Sequence, residues 1–339
     1  ATFPTIYKWA KVTPLLKKAS LDPILPASYR PVNQLVGLSK ILERCVFGQL
    51  VDYLEENSLL HPNQHGGRAG HSTTTTLIQM HDQWMDDLED GKTVAVTLVD
   101  QSAAFDVCSH QIILGKLKLL GVLNVDWMAS YLSGRTQSAA IGAALSAPLP
   151  LPAASVVQGG VGSGILYNVM TCDLPDAIHT GHQVSLEDKE HHCQEDGDMV
   201  TFVDDATSYY GHKDPAEVTR VTNKNFAAIE NFMHSNQLKV NSDKTHLLVI
   251  SKSSGGEVRG REAAERRAAV TLTAGGEVIQ QSDCEVLLGA TVHHSGTWTA
   301  MIRDSKASVQ AQLRSRVNAL KKICQHADLK TRKMVAAGI

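Results

Sequence analysis

The chain alternates between segments with helical hydrophobic spacing and short apolar runs rich in β-branched residues. The helical spacing predicts amphipathic helices over residues 34–56, 73–90, 111–120, 126–132, 162–179 and 214–236. The apolar runs predict strands over residues 93–99, 137–141, 199–203, 206–210 and 245–251, with further small strands within 269–293. The stretches between them are predicted loops, and these include the charged run from Gly255 to Arg267.

Length and composition are those of a soluble globular protein of more than one lobe. The chain has 339 residues, of which 43% are hydrophobic and 20% charged. The longest apolar run falls well short of the ~20 residues that span a bilayer, and no signal peptide is visible, so no membrane partner is expected. The six cysteines form no C-x-x-C pair, which favours a reducing compartment. A start without Met and an end directly after a helical pattern lead us to expect a piece of a longer polyprotein.

Charge is distributed unevenly. The net charge of −3 does not indicate a nucleic-acid-binding protein, but after residue 300 nine basic residues face only Asp304 and Asp328. The basic members of this tail are Arg303, Lys306, Arg314, Arg316, Lys321, Lys322, Lys330, Arg332 and Lys333. A basic helical segment over residues 300–337 is typical of a surface that grips phosphates, although each charge is equally typical of a solvated helix face.

An acidic segment with almost no apolar content covers residues 179–198 and is predicted to be a surface loop. It contains His191, His192 and Cys193, which are metal-ligand types. Adjacent ligands without a second pair elsewhere do not make a metal motif, so a solvated loop is the preferred interpretation.

Two acidic sites carry the clearest chemistry, and each follows an apolar strand. Asp100 stands in TLVDQSAAFD, and Asp204 and Asp205 stand in TFVDDATSYY. Strand ends can bring such carboxylates into one cleft, where hard oxygen ligands and mutual repulsion favour two Mg²⁺ or Mn²⁺ ions. Two ions ~4 Å apart can activate a hydroxyl and stabilise a leaving pyrophosphate. Each site alone is also compatible with an ordinary strand-terminal turn.

A P-loop nucleotide hydrolase is a competing interpretation of TLVD, and the phosphate-loop motif decides against it. That loop requires G-x-x-x-x-G-K-[ST]. The segment from Gly66 to Gly70 is one residue short and has His71 in place of Lys, and Gly159 to Gly164 continues with apolar residues.

Ordered motifs run along almost the whole chain. They are KVTPLLKK (11–18), SYRPV (28–32), LSKILERCV (38–46), QHGGRAGHST (64–73), DQSAAFD (100–106), YLSGRTQ (131–137), VQGGVGSGILYN (157–168), FVDD (202–205), LKVNSDKT (238–245) and CEVLLGATV (284–292). In this order they resemble the reverse transcriptases of non-LTR (LINE-like) retrotransposons. Three positions depart from the family pattern: Gly67 replaces Phe, Val157 replaces Pro and Gly160 replaces Ser.

The resemblance implies roles for individual residues. Asp100 and Asp204 would be the main metal ligands, with Asp205 and the carbonyl of Gln101 in support. Phe105 would be an aromatic gate against a ribose 2′-OH, although without the family context a core Phe is the better interpretation. Lys244 is a candidate general acid for the leaving pyrophosphate, at parity with a surface Lys in a turn. The implied substrate-binding residues are Lys17 or Lys18, Arg30, Arg68, Gln101, Phe105, Gln158 and Gly159.

The resemblance also implies an α+β right-hand polymerase with an antiparallel palm sheet backed by helices. The fingers would cover residues 1–92, the palm with interleaved finger elements 93–293, and the start of a basic helical thumb 294–339. The expected partners are an RNA template, a DNA primer or target DNA, and dNTPs, with an endonuclease elsewhere in the parent polyprotein. The expected location is the nucleus and cytoplasm of a eukaryotic host.

Two other functions stay open at this point. An RNA-dependent RNA polymerase shares the palm and the metals, but the bulk of Phe105 argues against rNTP entry. A catalytically weak or inactive nucleic-acid-binding fragment of a retroelement is the second alternative, suggested by the three departures and the short thumb. The retained carboxylates and Lys244 give no sign of such decay.

Overall fold

A computed structural model of the protein describes residues 2–152, 154–179, 196–252 and 257–296. The chain forms two compact units. The first unit comprises residues 1–72, 99–208 and 224–245, and the second comprises residues 73–98, 209–223 and 246–339. Residues 297–339 of the thumb predicted over 294–339, with its basic residues, lie outside the described residues, as does the His191–Cys193 run.

Fourteen strands and seven α-helices are described. The strands are β1 (Trp9–Leu16), β2 (Tyr29–Leu35), β3 (Thr93–Val99), β4 (Thr136–Ile141), β5 (Ala144–Leu145), β6 (Leu149–Pro150), β7 (Asp198–Phe202), β8 (Asp205–His212), β9 (His246–Ser251), β10 (Leu272–Ala274), β11 (Glu277–Ile279), β12 (Gln281–Ser282), β13 (Cys284–Leu287) and β14 (Ala290–His293). The helices are α1 (Gly37–Glu56), α2 (Thr73–Glu89), α3 (His110–Leu119), α4 (Val125–Leu132), α5 (Ser163–Met170), α6 (Pro215–Ser235) and α7 (Glu257–Ala268).

In the first unit, β1 lies between antiparallel β2 and parallel β4, with β5 and β6 paired to β4. Pro14 stands directly opposite Pro31 in the β1–β2 register. The Lys17 N–H donates to the Ser28 carbonyl at 2.9 Å, and hydrogen-bonded pairs alternate along an antiparallel ladder. The two prolines therefore occupy a non-hydrogen-bonded pair, so they break no bond between β1 and β2.

An aromatic cluster forms part of the core of the first unit. Tyr131 of α4 lies with its ring centroid 5.1 Å from those of both Phe3 and Phe47, and it stacks on Trp127 at 5.6 Å. All four side chains are buried. Such edge-to-face pairs add roughly 0.5–1.5 kcal/mol each beyond area burial. A Cβ on Gly162, just before α5, would lie 2.1 Å from the Phe47 ring, so α5 can start there only with glycine.

In the second unit, β9 pairs antiparallel with β3 and parallel with the short β12. On α2, Trp84 is buried edge-on against Tyr209 at 5.8 Å. A Cβ on Gly211 would lie 2.3 Å from the Asp87 carboxylate, so β8 has glycine where α2 approaches. In the described part of the chain, no helix is both long and apolar enough to cross a bilayer.

Most predicted elements are present, and three predictions were wrong. At the end of the surface loop predicted over 179–198, Asp196 and Asp198 are buried, because Asp196 pairs with Lys224 and Asp198 begins β7. The helix predicted over 162–179 ends at Met170, and Pro175–His179 is a 3₁₀ turn. Proline lacks an N–H and disfavours helical geometry in the residue before it. The loop predicted up to Arg267 contains α7 from Glu257 onward, because its Ala, Glu and Arg residues are strong helix formers that outweigh their charge.

Candidate active site

The three predicted acidic residues lie in the first unit at strand ends. Asp100 directly follows β3, Asp204 lies in the turn between β7 and β8, and Asp205 is the first residue of β8. Val203 in this turn has φ +58°, in the left-handed region. A β-branched residue rarely adopts this conformation, which persists where the surroundings impose it. We call residues 202–205 the aspartate turn.

The electrostatics of these side chains indicate mutual proximity. Partial burial raises the pKa of Asp204, and the charge of Asp100 adds to the effect. Burial also raises the pKa of Asp205, followed by the charges of Asp204 and Asp100. The Lys244 Nζ lies 3.5 Å from Asp100 Oδ2 and supplies a local positive charge. The Lys244 side chain is 67% exposed, so it is open to a phosphate ligand.

The donor set fits a divalent cation that arrives with phosphates. Within the described residues, no group of three or more His, Cys, Asp or Glu side chains is arranged to hold a metal ion by itself. Mg²⁺ is commonly bound by one or two carboxylates plus substrate phosphates, with no dedicated protein cage. Asp100 and Asp204 supply hard carboxylate oxygens of that kind, and their repulsion favours a cation between them.

Gln101 connects the first acidic site to the aspartate turn. Its Nε2 donates to the Asp204 carbonyl at 3.0 Å, and its Oε1 accepts a hydrogen bond from the hydroxyl of Tyr167 on α5. Tyr167 is fully buried, and burial raises its pKa, so the hydroxyl stays protonated as the donor. The side chain of Gln101 thus positions the turn, whereas the sequence suggested a role for its carbonyl.

Phe105 lies beside the site with its ring 5.3 Å from that of Tyr167. It is half-buried, in a 3₁₀ turn that begins after Ala103, whose φ is +53°. Asp106 follows in the same turn, and the Gln158 Nε2 lies 3.5 Å from its Oδ1. The 3₁₀ turn therefore brings the predicted gate and the glycine-rich motif to the same part of the unit.

The segment Gln158–Gly162, which we call the glycine-rich loop, contains positions where the backbone conformation or the packing favours glycine. Gly159 has φ +84°, and a Cβ there would lie 3.3 Å from the Asn33 carbonyl of β2. At Gly160 a Cβ would lie 2.7 Å from both the Tyr131 hydroxyl and the Ser163 hydroxyl. The serine usual in the family does not fit at Gly160 in this packing.

A buried carboxylate on α1 holds this loop. Glu43 Oε2 accepts hydrogen bonds from the Val161 N–H at 2.7 Å and from the Tyr131 hydroxyl at 3.2 Å. Its Oε1 accepts from the Ser39 hydroxyl at 3.2 Å. The buried guanidinium of Arg135 lies over the Tyr131 ring at 4.3 Å, and burial lowers its pKa. Interactions with Tyr131 and then with the Glu43 carboxylate counter this lowering of the Arg135 pKa.

The predicted basic residues of the fingers stand apart from the carboxylates along the chain, on and beside β1 and β2. Lys17, Lys18 and Arg30 are all exposed. The Lys17 ammonium donates to the Ala27 carbonyl at 2.9 Å, across the loop that joins the two strands. Their approach to a nucleotide stays a prediction.

Arg68 holds its own loop in place. Its guanidinium makes a two-bond contact with the Glu55 carboxylate, at 2.7 Å for each bond. Its Nη1 donates to the carbonyls of His61 and Gln64, each at 2.9 Å. The hydrogen bond from Arg68 is the main cause that lowers the pKa of Glu55. With four hydrogen bonds inside the protein, Arg68 is engaged as a loop anchor, and its predicted substrate contact stays a prediction.

We expect Arg68→Lys to lower stability more than substrate affinity. Lysine cannot reproduce the planar fork, so the two bonds to Glu55 and those to the loop carbonyls cannot all form, at a cost of about 1–3 kcal/mol. Urea unfolding measures this cost, with Arg44→Lys, on the exposed face of α1, as the control. A raised KM for dNTPs without a loss of stability would instead support the predicted substrate contact.

Five residues of this neighbourhood were not predicted from the sequence. They are Glu43, Gln64, Tyr131, Tyr167 and Asn168, all of them buried. One signal was visible for Glu43, since it stands among apolar positions of α1 where a charged residue is unexpected. The others lie inside the recognised motifs, but their partners are distant in sequence, as with the 104 residues between Gln64 and Asn168.

Comparison with known sequences gives a consistent result. A family model described as reverse transcriptase (RNA-dependent DNA polymerase) matches residues 16–291. The probable RNA-directed DNA polymerase from transposon BS of Drosophila melanogaster is 28% identical over 251 residues, which are 72% of this chain and 26% of that protein. The RNA-directed DNA polymerase from mobile element jockey of the same species is 26% identical, over 75% of this chain and 26% of that protein. The chain thus spans about a quarter of these relatives.

Solved structures show the same fold at low identity. The structure of apo telomerase from Candida tropicalis truncated from the C-terminal domain gives a TM-score of 0.52 at 11% identity, over 87% of this chain and 55% of that one. Apo telomerase from the same organism gives 0.53 at 10% identity, over 86% of this chain and 48% of that one. At this identity the likeness concerns the fold alone.

Proposed function

Because the chain belongs to the reverse transcriptase (RNA-dependent DNA polymerase) family, we propose that it extends a primer 3′-OH with dNTPs on an RNA template. The observation that carries this proposal is the association of Asp100, Asp204 and Asp205 in one unit, with two of their pKa values raised. The parent protein would be the polyprotein of a non-LTR retrotransposon, as its relatives suggest. Its primer would be nicked target DNA, and its endonuclease would lie in another part of the polyprotein.

Asp100 and Asp204 would hold two Mg²⁺ ions, or Mn²⁺ ions, with Asp205 and the Gln101 carbonyl in support. When bound, such ions supply Lewis-acid activation of the 3′-OH and neutralise charge on the phosphates. The primer 3′-OH would lose its proton to solvent as its oxygen attacks the α-phosphorus in line, and the bond to the bridging oxygen of the β-phosphate would break. Lys244, close to Asp100, would donate a proton to the departing pyrophosphate.

The remaining predicted residues would position the reactants. The triphosphate would be contacted by Lys17 or Lys18, whose ammonium is a point charge, and by the planar, forked guanidinium of Arg30. Gln158 and Gly159 would contact the nucleotide and template from the glycine-rich loop. Correct alignment of 3′-OH and α-phosphate supplies much of the rate in such a transfer.

Primer extension tests the proposal directly. The purified chain is given an RNA template annealed to a DNA primer, with Mg²⁺ and either dNTPs or rNTPs. Extension with dNTPs supports the reverse transcriptase, and extension with rNTPs alone would instead support an RNA-dependent RNA polymerase. Template binding without extension by either set would favour the non-catalytic nucleic-acid-binding fragment.

Replacing Phe105 with Ala is expected to admit ribonucleotides. If the ring excludes the 2′-OH, the preference for dNTP over rNTP, measured as the ratio of kcat/KM, should fall at least about tenfold. Phe105→Tyr retains the bulk of the ring and is expected to keep the preference. If Phe105→Ala and the unsubstituted chain prefer dNTP over rNTP equally, the ring has a purely structural role, which is to pack against Tyr167.

A further inference from the structure

The aspartate turn is held from two sides by adjacent residues of α5. We infer that Gln64, Gly66, Tyr167 and Asn168, which we call the turn clamp, are positioning residues that fix Asp204 for nucleotidyl transfer. This inference rests on the proposed function and extends it to residues that touch neither substrate nor metal. All four lie in the first unit.

The first side of the clamp begins with backbone hydrogen bonds between residues 63–65 and Thr201 of β7. The His65 N–H donates to the Thr201 carbonyl and the Thr201 N–H donates to the Asn63 carbonyl, both at 2.9 Å. Gln64 and Thr201 form a parallel bridge. The segment around Gln64 is thereby fixed to the strand that leads directly into the aspartate turn.

Two buried amide side chains then fix the backbone of Gly66. The Gly66 N–H donates to Gln64 Oε1 at 2.8 Å, and its carbonyl accepts from Asn168 Nδ2 at 2.6 Å. Gln64 Nε2 donates to Asn168 Oδ1 at 2.8 Å and closes the network. Gln64 and Asn168 are both fully buried, so no water competes for these bonds.

Gly66 lies directly against the unusual residue of the turn. A Cβ on Gly66 would be 2.5 Å from both the Val203 nitrogen and Val203 Cγ2, and 3.0 Å from the Phe202 carbonyl carbon. Backbone atoms cannot move aside as a flexible side chain can, so any larger residue displaces the turn. The tight contact also gives a physical reason for the left-handed φ of Val203.

The second side of the clamp acts on the next residue of the turn. The Tyr167 hydroxyl donates to Gln101, whose Nε2 donates to the Asp204 carbonyl. Since Tyr167 and Asn168 are consecutive, one turn of α5 fixes Val203 through Gly66 and Asp204 through Gln101. Two separate sets of contacts therefore hold the backbone that carries the Asp204 carboxylate.

The experiment compares Gly66→Ala with Gly48→Ala in the full chain. A Cβ on Gly48 would have nothing within 4 Å. Single-turnover primer extension should show kcat lowered by about 100-fold for Gly66→Ala, the cost of ~1 Å misplacement, with KM for dNTP changed less than about threefold. Tyr167→Phe, which removes only the hydroxyl, should lower kcat by a smaller factor, and Gly48→Ala should leave it unchanged.

Two readouts do not depend on turnover. Hydrogen exchange at the Thr201 and His65 amides should accelerate in Gly66→Ala and not in Gly48→Ala, and Mn²⁺ affinity measured by electron paramagnetic resonance should fall. A Gly66→Ala chain with kcat within about twofold of Gly48→Ala overturns the inference, whatever its exchange rates. If the unsubstituted chain extends no primer, the proposed function fails. In that case the clamp is still tested by the other two readouts. Hydrogen exchange and Mn²⁺ affinity that are the same in Gly66→Ala as in Gly48→Ala overturn it, and altered values support it.

Discussion

Asp204→Asn is expected to lower kcat for primer extension by at least about 10³-fold while the protein stays folded. Asparagine keeps the shape of the side chain but removes the charge that would hold a divalent cation against Asp100. Because folding raises the pKa of Asp204, ionising this carboxylate in the folded state costs free energy at neutral pH. The substitution removes that cost, so the free energy of unfolding at pH 7 should be equal or higher.

The measurement pairs single-turnover extension with urea unfolding at pH 7 and pH 4. Any stabilisation by Asn should shrink at the lower pH, where the Asp204 carboxyl of the unsubstituted chain becomes protonated. Asp126→Asn, an exposed acid in the first turn of α4, is the charge-matched control. Extension by Asp204→Asn at more than a few per cent of the unsubstituted rate would remove Asp204 from the proposed metal site.

Glu43→Ala is expected to destabilise the protein by about 3–5 kcal/mol, the largest stability effect that we predict. The change removes the acceptor of the Val161 N–H, the Tyr131 hydroxyl and the Ser39 hydroxyl in a buried environment. It also leaves the Arg135 guanidinium buried without its nearby carboxylate. Each unsatisfied buried group retains its full desolvation cost.

Urea unfolding measures this effect, with the exposed Glu56→Ala at the end of the same helix as the control. Glu43→Gln keeps one acceptor oxygen and should lose less stability than Ala. Because Glu43 holds Val161 in the glycine-rich loop, KM for dNTP should rise in Glu43→Gln under conditions where the chain is folded. A loss below about 1 kcal/mol for Glu43→Ala would contradict the view that this carboxylate anchors the loop.

The local pattern of the sequence predicted much of the fold because the main elements have strong periodicity. The strand Thr93–Val99 and the hairpin around Asp204 follow from apolar runs, and both are confirmed. The α+β class is confirmed, and the right-hand polymerase fold is supported by the likeness to telomerase. The division into fingers 1–92, palm 93–293 and thumb 294–339 stays a prediction.

Elements that depend on tertiary partners were not predicted. Strands β1 and β2 contain Pro14 and Pro31, which argue against a sheet until the register shows that both fall at a non-hydrogen-bonded pair. Helix α7 has little apolar content, so hydrophobic periodicity does not reveal it.

In the candidate site, too, some residues follow from the local sequence pattern and others depend on tertiary partners. The aspartates at strand ends are visible in the sequence pattern, and the resemblance to the reverse transcriptase family is confirmed. The buried groups that hold the aspartate turn and the glycine-rich loop are not evident in the sequence, because Gln64, Asn168 and Glu43 act through partners about 90 to 120 residues away in the chain. Arg68 shows a further limit of the sequence. A motif predicts that an arginine is needed, but it does not tell whether the guanidinium binds the substrate or Glu55.

The prolines of the first sheet bear on how copies of the chain behave at high concentration. β2 is the edge strand of its sheet, and edges with free donors and acceptors can pair with another molecule. At the non-hydrogen-bonded pair the nitrogen of Pro31 points outward and has no hydrogen to donate. Exposed Arg30 beside it adds charge to the same edge. An incoming strand would therefore lose a hydrogen bond at the centre of β2, and this edge resists edge-to-edge aggregation.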